Sequence, residues 1–348
     1  MQPDLQQRGR ASIDFLAALG GALHATRRVV SAELANAGLG NERLADDFDR
    51  RLAQFQSTLA QAPTTPRYVA IRDWMGNHHG RVAMEAFDEV RPRLEPALRA
   101  LLQRGPTTLE RASEDPTPEY SRGIAFHRTA PWDGHDYMGY IHGELIHRRL
   151  VARNFGGDIY DQRRGFLDVL RRDDYARILE LGTSSGNLTV ALSRRFPEAD
   201  VTGLDVSLRM LEQAQRVGNE LGHAWRLVQR RAEETGFDDA SFDLVAAYSL
   251  PHELPERATR AMLREAWRVL RPGGELLIGD VVPFLAQDKL AQCWAQFEAL
   301  HGGEPFWPEF CSLDMARVAT EAGFVEARYF GEGERQFPFI LHAVKPAP

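Results

Sequence analysis

Two hydrophobic rhythms divide this chain. Up to about residue 170, apolar positions recur three and four apart, the spacing of amphipathic helices. "SIDFLAALGGALHATRRVVSAEL" predicts a first helix, and "NERLADDFDRRLAQFQSTLAQ" a second with Asn41 as its N-cap. "RVAMEAFDEVRPRLEPALRALLQ" predicts a third, interrupted near Pro92 and Pro96, because proline lacks the amide proton that a helix interior uses. "RGPTTLERASEDPTPEYSRG" is rich in proline, threonine and charge and predicts an exposed loop. "DYMGYIHGELIHRRLVARN" predicts one more helix, ending at the Gly156–Gly157 pair.

From about residue 176 the rhythm changes. Short apolar runs, "ARILELG", "ADVTGLDV", "AWRLVQ", "FDLVAAYS" and "GELLIGDVV", alternate with helical patterns such as "SLRMLEQAQRVGNEL" and "RATRAMLREAWRVL". Strands separated by helices predict a parallel sheet covered on both faces. The last two runs, "FVEARYFGE" and "QFPFILHAVK", are joined by too short a connection for a crossover and must pair antiparallel. The expectation is an α/β chain: an all-α N-terminal domain over residues 1–157, then a Rossmann-like open sheet domain over 158–348 with seven mostly parallel strands and an antiparallel C-terminal edge.

Composition narrows what such a chain can do. Its 348 residues exceed one average domain, and 43% hydrophobic with 26% charged residues is globular. A net charge of −7 gives no electrostatic encouragement to nucleic acid. Cys293 and Cys311 are the only cysteines and lack zinc or redox spacing, which predicts a cytoplasmic setting. "FLAALGGALHA" behind Arg8 and Arg10 imitates a signal peptide, but Asp14, His24 and the unbroken helical pattern that follows favour an amphipathic helix. No run approaches the ~20 apolar residues of a membrane span, so no membrane partner is expected.

The chemistry concentrates in "ILELGTSSGNLT". An apolar strand stops at Glu180, and Gly182, Thr183, Ser184, Ser185 and Gly186 form a loop of small residues that opens a helix. In open α/β sheets ligands bind outside the carboxyl ends of the strands, where the strand order reverses. Asp205 ends the next strand, 19 residues after Gly186, where a carboxylate can accept both ribose hydroxyls. That points to a nucleoside cofactor. The loop reads E-x-G-x-x-x-G rather than G-x-G-x-x-G, and an acid there repels a pyrophosphate while suiting a cationic amine and sulfonium. S-adenosylmethionine, with S-adenosylhomocysteine as product, is the cofactor this selects.

"ILELGTSSGNLT", "VTGLDVSLRML", "AEETGFDDASFDLVAAYSLPHEL" and "VLRPGGELLIGD" resemble the successive motifs of class I S-adenosylmethionine-dependent methyltransferases, in particular the group resembling the ubiquinone/menaquinone-biosynthesis enzymes. The resemblance covers roughly residues 160–345 and does not reach the first 150. It implies that Glu180, Gly182 and Gly186 cradle the methionine end, with Thr183 and Ser184 completing the loop. Asp205 would hold the ribose, Val206 and Met210 would cover the adenine, and Ala232 and Glu233 would meet its edge. Tyr248 would join the cofactor site from the end of the fourth strand. Two positions depart from the pattern: Ser184 replaces the middle glycine, and Arg231 replaces an acid, which leaves the adenine amine to Glu233 or to backbone.

Other residues carry two readings each. His252, in "AAYSLPHELP", stands where the methyl group should lie and is a candidate general base, or else a cap for the next helix. His142, Glu144 and His147 in "HGELIH" invite a metal, but histidines five apart do not share an α-helical face, and adjacent His78 and His79 point apart. The expectation is no metal. Trp132, Tyr137, Tyr140, Trp294, Phe297, Phe306, Trp307 and Phe310 either border an acceptor pocket or pack a core.

The functional expectation is methyl transfer to a small molecule, to oxygen or nitrogen before carbon, with the N-terminal helices covering the site and offering a homodimer contact. Three rivals remain. A nicotinamide oxidoreductase would bind NADH tightly, against the repulsion of Glu180. An RNA methyltransferase would bind RNA in a salt-sensitive way. A non-catalytic cofactor-binding scaffold would show no turnover with a broad acceptor panel.

Overall fold

In the computed structural model, which describes residues 3–122, 133–152, 158–331 and 333–347, one sheet organises the chain. Its strands are β1 (Thr108–Glu110), β2 (Arg177–Leu181), β3 (Asp200–Asp205), β4 (Arg226–Gln229), β5 (Phe242–Tyr248), β6 (Leu270–Asp280), β7 (Val325–Gly331) and β8 (Phe339–Val344). The order is β1-β4-β3-β2-β5-β6-β8-β7. β1 to β6 pair in parallel, while β8 runs antiparallel to both β6 and β7, as the short last connection requires. The seven strands expected from the second half are all present. The chain steps from β2 outward through β3 and β4, then returns to β5 on the other side, so the order reverses beside β2.

The eighth strand corrects the sequence reading. β1 lies within the stretch expected to be an exposed loop, and Thr108, Leu109 and Glu110 pair with Arg226, Leu227 and Val228. An edge strand presents unpaired amides and carbonyls, and β4 would be such an edge without β1. Side chains fix the addition: Thr107 Oγ1 donates to the His223 carbonyl at 2.7 Å, and Asn219 Oδ1 accepts from the Thr107 amide at 2.9 Å. The first half is therefore helical but not all-α.

Its helices are α1 (Gln7–Asn36), α2 (Phe48–Gln61), α3 (Thr65–Asp88) and α4 (Arg91–Gln103). The N-cap of α2 is Asp47, whose Oδ1 accepts from the Arg50 amide at 2.9 Å; Asn41 instead accepts from the Leu290 amide, 2.8 Å away in a distant helix. The break falls between α3 and α4, just ahead of Pro92 in the first turn of α4, and Pro96 sits inside α4 without ending it. Met138–Tyr140 continues directly as a π-helix over Ile141–Val151. The Gly156–Gly157 end expected for it, and Trp132, lie outside the described residues.

Apolar packing joins the two halves. One buried cluster lies on each face of the sheet, the first including Leu179, Val245 and Ile278, the second Ile178, Leu244 and Leu277. A third unites Ile13, Leu16 and Phe87 with Tyr140, Ile141 and Leu145 of the π-helix. A fourth packs Val30, Phe55 and Tyr68 of α1 to α3 against Trp294 and Phe297 of the Lys289–Gly302 helix, which belongs to the connection between β6 and β7. Among the described residues, no helix is long and apolar enough to cross a membrane.

Candidate cofactor and acceptor site

β2 delivers Glu180 and the small-residue loop to the reversal point. Glu180 is buried at 2% exposure, paired across to Gly203 of β3 and Ala246 of β5. Thr189, in the helix Asn187–Arg195 that follows the loop, donates its hydroxyl to Glu180 Oε2 at 2.6 Å. Burial, with Asp205 nearby, pushes the Glu180 carboxyl up to about 8, although Thr189 and Arg163 pull the other way. Burial thus favours the neutral acid, and a cation beside it would favour the charged form.

The loop is pinned to β3 by its backbone. The amides of Gly182 and Thr183 both donate to the Leu204 carbonyl, at 2.8 and 2.9 Å. Gly182 has φ +70°, and a Cβ there would meet the Leu250 side chain at 3.0 Å, so glycine is needed for conformation and for close approach. Gly186 has φ +88° and caps its helix without a side-chain bond, which leaves the first amides of that helix open to a ligand. Ser184 occupies the left-handed region at φ +49°, and its amide donates to Asp205 Oδ2 at 2.8 Å, which offsets a conformation costing about 1–2 kcal/mol.

Asp205 is half-buried at the end of β3. Its Oδ1 accepts from the Ser207 amide at 2.9 Å and its Oδ2 from Ser184. The Val206 amide also favours the charged carboxylate, which keeps acceptor capacity for a ribose hydroxyl. Burial pushes this carboxyl up to about 6, against the backbone amides that favour its charged form. Met210 is buried, with its sulfur 3.8 Å from the Ser184 hydroxyl, and Val206 is held through its carbonyl by Gln229. Loop, acid and apolar neighbour thus stand together as expected.

The far side differs in detail. Ala232 is buried, but the Glu233 carboxylate accepts from the Tyr120 hydroxyl at 2.6 Å, and Arg231 Nε donates to the Pro116 carbonyl at 2.6 Å. The expected adenine edge is therefore tied to a segment of the first half. Further contacts of this kind recur. Asp133 Oδ1 accepts from the Ser207 hydroxyl and the Arg209 amide, at 2.8 and 2.9 Å. Gly143 lies so close to the loop that a Cβ would touch Ser185 at 3.0 Å. Asn187 Nδ2 lies 2.9 Å from His147 Nδ1.

That π-helix also corrects the reading of "HGELIH". Its wider turn brings residues five apart onto one side, and the rings of His142 and His147 are 4.1 Å apart. His78 and His79 stay in α3, His79 bonding the Met75 carbonyl.

At the carboxyl end of β5, Tyr248 is buried under Arg163, whose guanidinium carbon is 3.5 Å from the ring centre. The Tyr248 hydroxyl is sealed from solvent with no hydrogen-bond partner among the described residues. Arg163, from the helix Ile159–Phe166, is itself buried, which pulls its pKa down, and it is electrostatically coupled to Glu180. Sequence reasoning missed Arg163; its only trace is a basic position in the helix leading into β2. An orphaned phenol and a buried guanidinium beside the loop fit the carboxylate end of a methionine moiety, as Glu180 fits its ammonium.

His252 follows on the turn Pro251–Glu253. Nδ1 is 2.5 Å from Asp280 Oδ1, at the end of β6, and Nε2 is 3.5 Å from Glu253 Oε1. Burial pulls the imidazole down, but Asp280 and Glu253 outweigh it and hold it well above 6.5. The Trp307 ring is 5.0 Å from the His252 ring, and Phe306 packs edge-on to Tyr120 at 5.9 Å. The other aromatics are core: Trp294 and Phe297 in the cluster with α1 to α3, Phe310 on the sheet, Tyr137 and Tyr140 with the π-helix.

Residues 178–274 match the family described as a methyltransferase domain. The chain is 34% identical over 142 residues to a demethylmenaquinone methyltransferase of Thermus thermophilus, covering 40% of this chain and 61% of that one. It is 36% identical over 121 residues to a trans-aconitate 2-methyltransferase of Azoarcus sp., covering 34% and 45%. The chain thus spans less than two thirds of these relatives' lengths. A putative O-methyltransferase structure from Nostoc punctiforme superposes with a TM-score of 0.51 at 15% identity, over 80% of this chain and 72% of that one, a likeness of fold.

Proposed function

We propose that this chain, whose sheet half is a class I S-adenosylmethionine-dependent methyltransferase domain, transfers a methyl group to the oxygen or nitrogen of a small molecule. The observation that carries the proposal is the pair of acids, Glu180 and Asp205, closing adjacent strands on either side of a loop held in left-handed turns. Bound there, S-adenosylmethionine would supply an electrophilic methyl on its sulfonium. Glu180 would hold the ammonium, Arg163 and Tyr248 the carboxylate, and Asp205 the ribose.

The acceptor would lie at the ends of β5 and β6, among His252, Glu253, Glu304 and Trp307. Buried proton-handling groups there favour an oxygen or nitrogen acceptor over carbon. His252, positioned by Asp280, can take an acceptor proton only after losing its own, and Glu253, 3.5 Å from Nε2, is the group placed to receive it. The segments around Tyr120, Asp133 and the π-helix cover the site and exclude water, which leaves positioning of acceptor against methyl as the main source of rate. Both cysteines are buried free thiols, which supports a reducing, cytoplasmic setting. The acidic balance supports a small-molecule partner over nucleic acid. A homodimer contact on α1 would use Phe15 and Val29, which are half exposed.

The test is turnover of methyl-labelled S-adenosylmethionine with a panel of hydroxyl, carboxylate and amine acceptors. Acceptor-dependent S-adenosylhomocysteine formation supports the proposal. Cofactor binding with no turnover across the panel favours a scaffold, and tight NADH binding favours an oxidoreductase.

A further inference from the structure

The turn after β5 brings together more ligand-capable side chains than a single proton transfer uses. His252, Glu253 and Glu304 each place one ligand-capable atom within 4.8 Å of the others. His252 and Glu304 are buried, at 5% and 6% exposure, and the Glu253 side chain is 14% exposed. We propose that these three residues bind one divalent transition-metal ion at the carboxyl edge of β5.

Three features of the cluster point to a cation. Glu253 Oε2 is sealed from solvent and has no hydrogen-bond partner among the described residues, a costly state for a carboxylate oxygen that an ion would relieve. His252 is oriented from behind: Asp280 Oδ1 lies 2.5 Å from Nδ1, and Asp280 Oδ2 also accepts from the His252 amide at 3.2 Å. This is the carboxylate–histidine arrangement that fixes a ligand ring with its other nitrogen turned to a metal. Finally, that nitrogen, Nε2, faces Glu253 Oε1 at 3.5 Å, a gap that a shared ion can span through both atoms.

The donor set decides the class of ion. One imidazole nitrogen and two carboxylates, without thiolate, suit manganese(II), iron(II) or zinc rather than copper(I). Three protein ligands leave coordination positions open, as in catalytic rather than structural sites. The clip also has a mechanical consequence: it ties the turn at residues 251–253 to residue 304, just beyond the Lys289–Gly302 helix that packs on α1 to α3. With the ion bound, Nε2 is a ligand and the general-base route through His252 to Glu253 is closed. That an oxygen of the acceptor would take an open position instead rests on the methyl-transfer reading; binding of the ion does not.

The rival filling is a proton on Nε2 donated to Glu253, with no ion. Protein stripped with a chelator and dialysed is titrated with manganese(II), free ion being read by electron paramagnetic resonance, and with zinc as competitor. The same titration is run on Glu304→Gln and Glu253→Gln, with S-adenosylhomocysteine affinity and thermal melting checking that each variant is folded. The proposal expects one manganese ion per chain, displaced by zinc, and at least tenfold weaker binding in both variants while S-adenosylhomocysteine affinity stays within about twofold. No stoichiometric ion in the wild type, or equal binding in wild type and folded variants, overturns it. Stoichiometric metal without S-adenosylhomocysteine binding would sustain the metal site and contradict the cofactor assignment.

Discussion

The two ends of this site are built by different means. At the β2–β3 edge, what would hold the cofactor's ammonium and ribose lies between Glu180 and Asp205, a run of 26 residues, and much of it is backbone: left-handed turns, amides on the Leu204 carbonyl, an open helix terminus. At the β5–β6 edge the groups are side chains gathered from across the chain, His252, Asp280, Glu304 and Trp307, with Tyr120 of the first half nearby at Phe306. A common ligand can be held by a local motif. A particular acceptor needs surfaces that only tertiary folding brings together, and it is there that relatives with different acceptors are free to differ.

The comparison predicts separable failures. His252→Ala should lower kcat by roughly 10²–10⁴-fold while the cofactor dissociation constant hardly moves; steady-state rates at saturating cofactor decide it, and a loss confined to cofactor affinity would merge the two edges. Asp205→Ala should do the reverse. It removes the ribose acceptor and the acceptor of the Ser184 amide, and should weaken S-adenosylhomocysteine by about 1–3 kcal/mol in calorimetry.

A smaller effect follows from Glu180. Burial pushes its folded carboxyl up to about 8, above the usual 4.5, so between those values the native state would keep a proton that the unfolded chain has lost. This group therefore lowers stability as pH rises through that window. Thermal melting from pH 5 to 8 should show the decline in wild type and a flatter profile in Glu180→Gln; parallel profiles would count against the buried acid. Least of all, Tyr120→Phe removes one hydroxyl from Glu233 and should cost about 1 kcal/mol, a few-fold in cofactor affinity, if the cover contributes to that edge.

Legibility followed the same division. The seven strands of the second half, the loop, Glu180 and Asp205 could be read because alternation and spacing are local properties of sequence. β1 could not, because "TLE" becomes a strand only where the open edge of β4 offers partners. Tyr120 on Glu233 and Arg163 on Tyr248 depend on distant segments meeting, and no spacing announces that. The misjudged pair His142 and His147 has another cause. Five residues is the wrong interval for an α-helix and a suitable one for the π-helix that forms there.

Whether a cationic cofactor end sits against Glu180 is decided by titrating S-adenosylhomocysteine into the wild-type protein at pH 7 in two buffers of different ionisation enthalpy. One site per chain and release of up to one proton on binding are expected, as the ammonium favours the charged form of Glu180. In Glu180→Gln the release should disappear and affinity should fall. Tight binding with no proton release, or the same release in the variant, would contradict the assignment of Glu180.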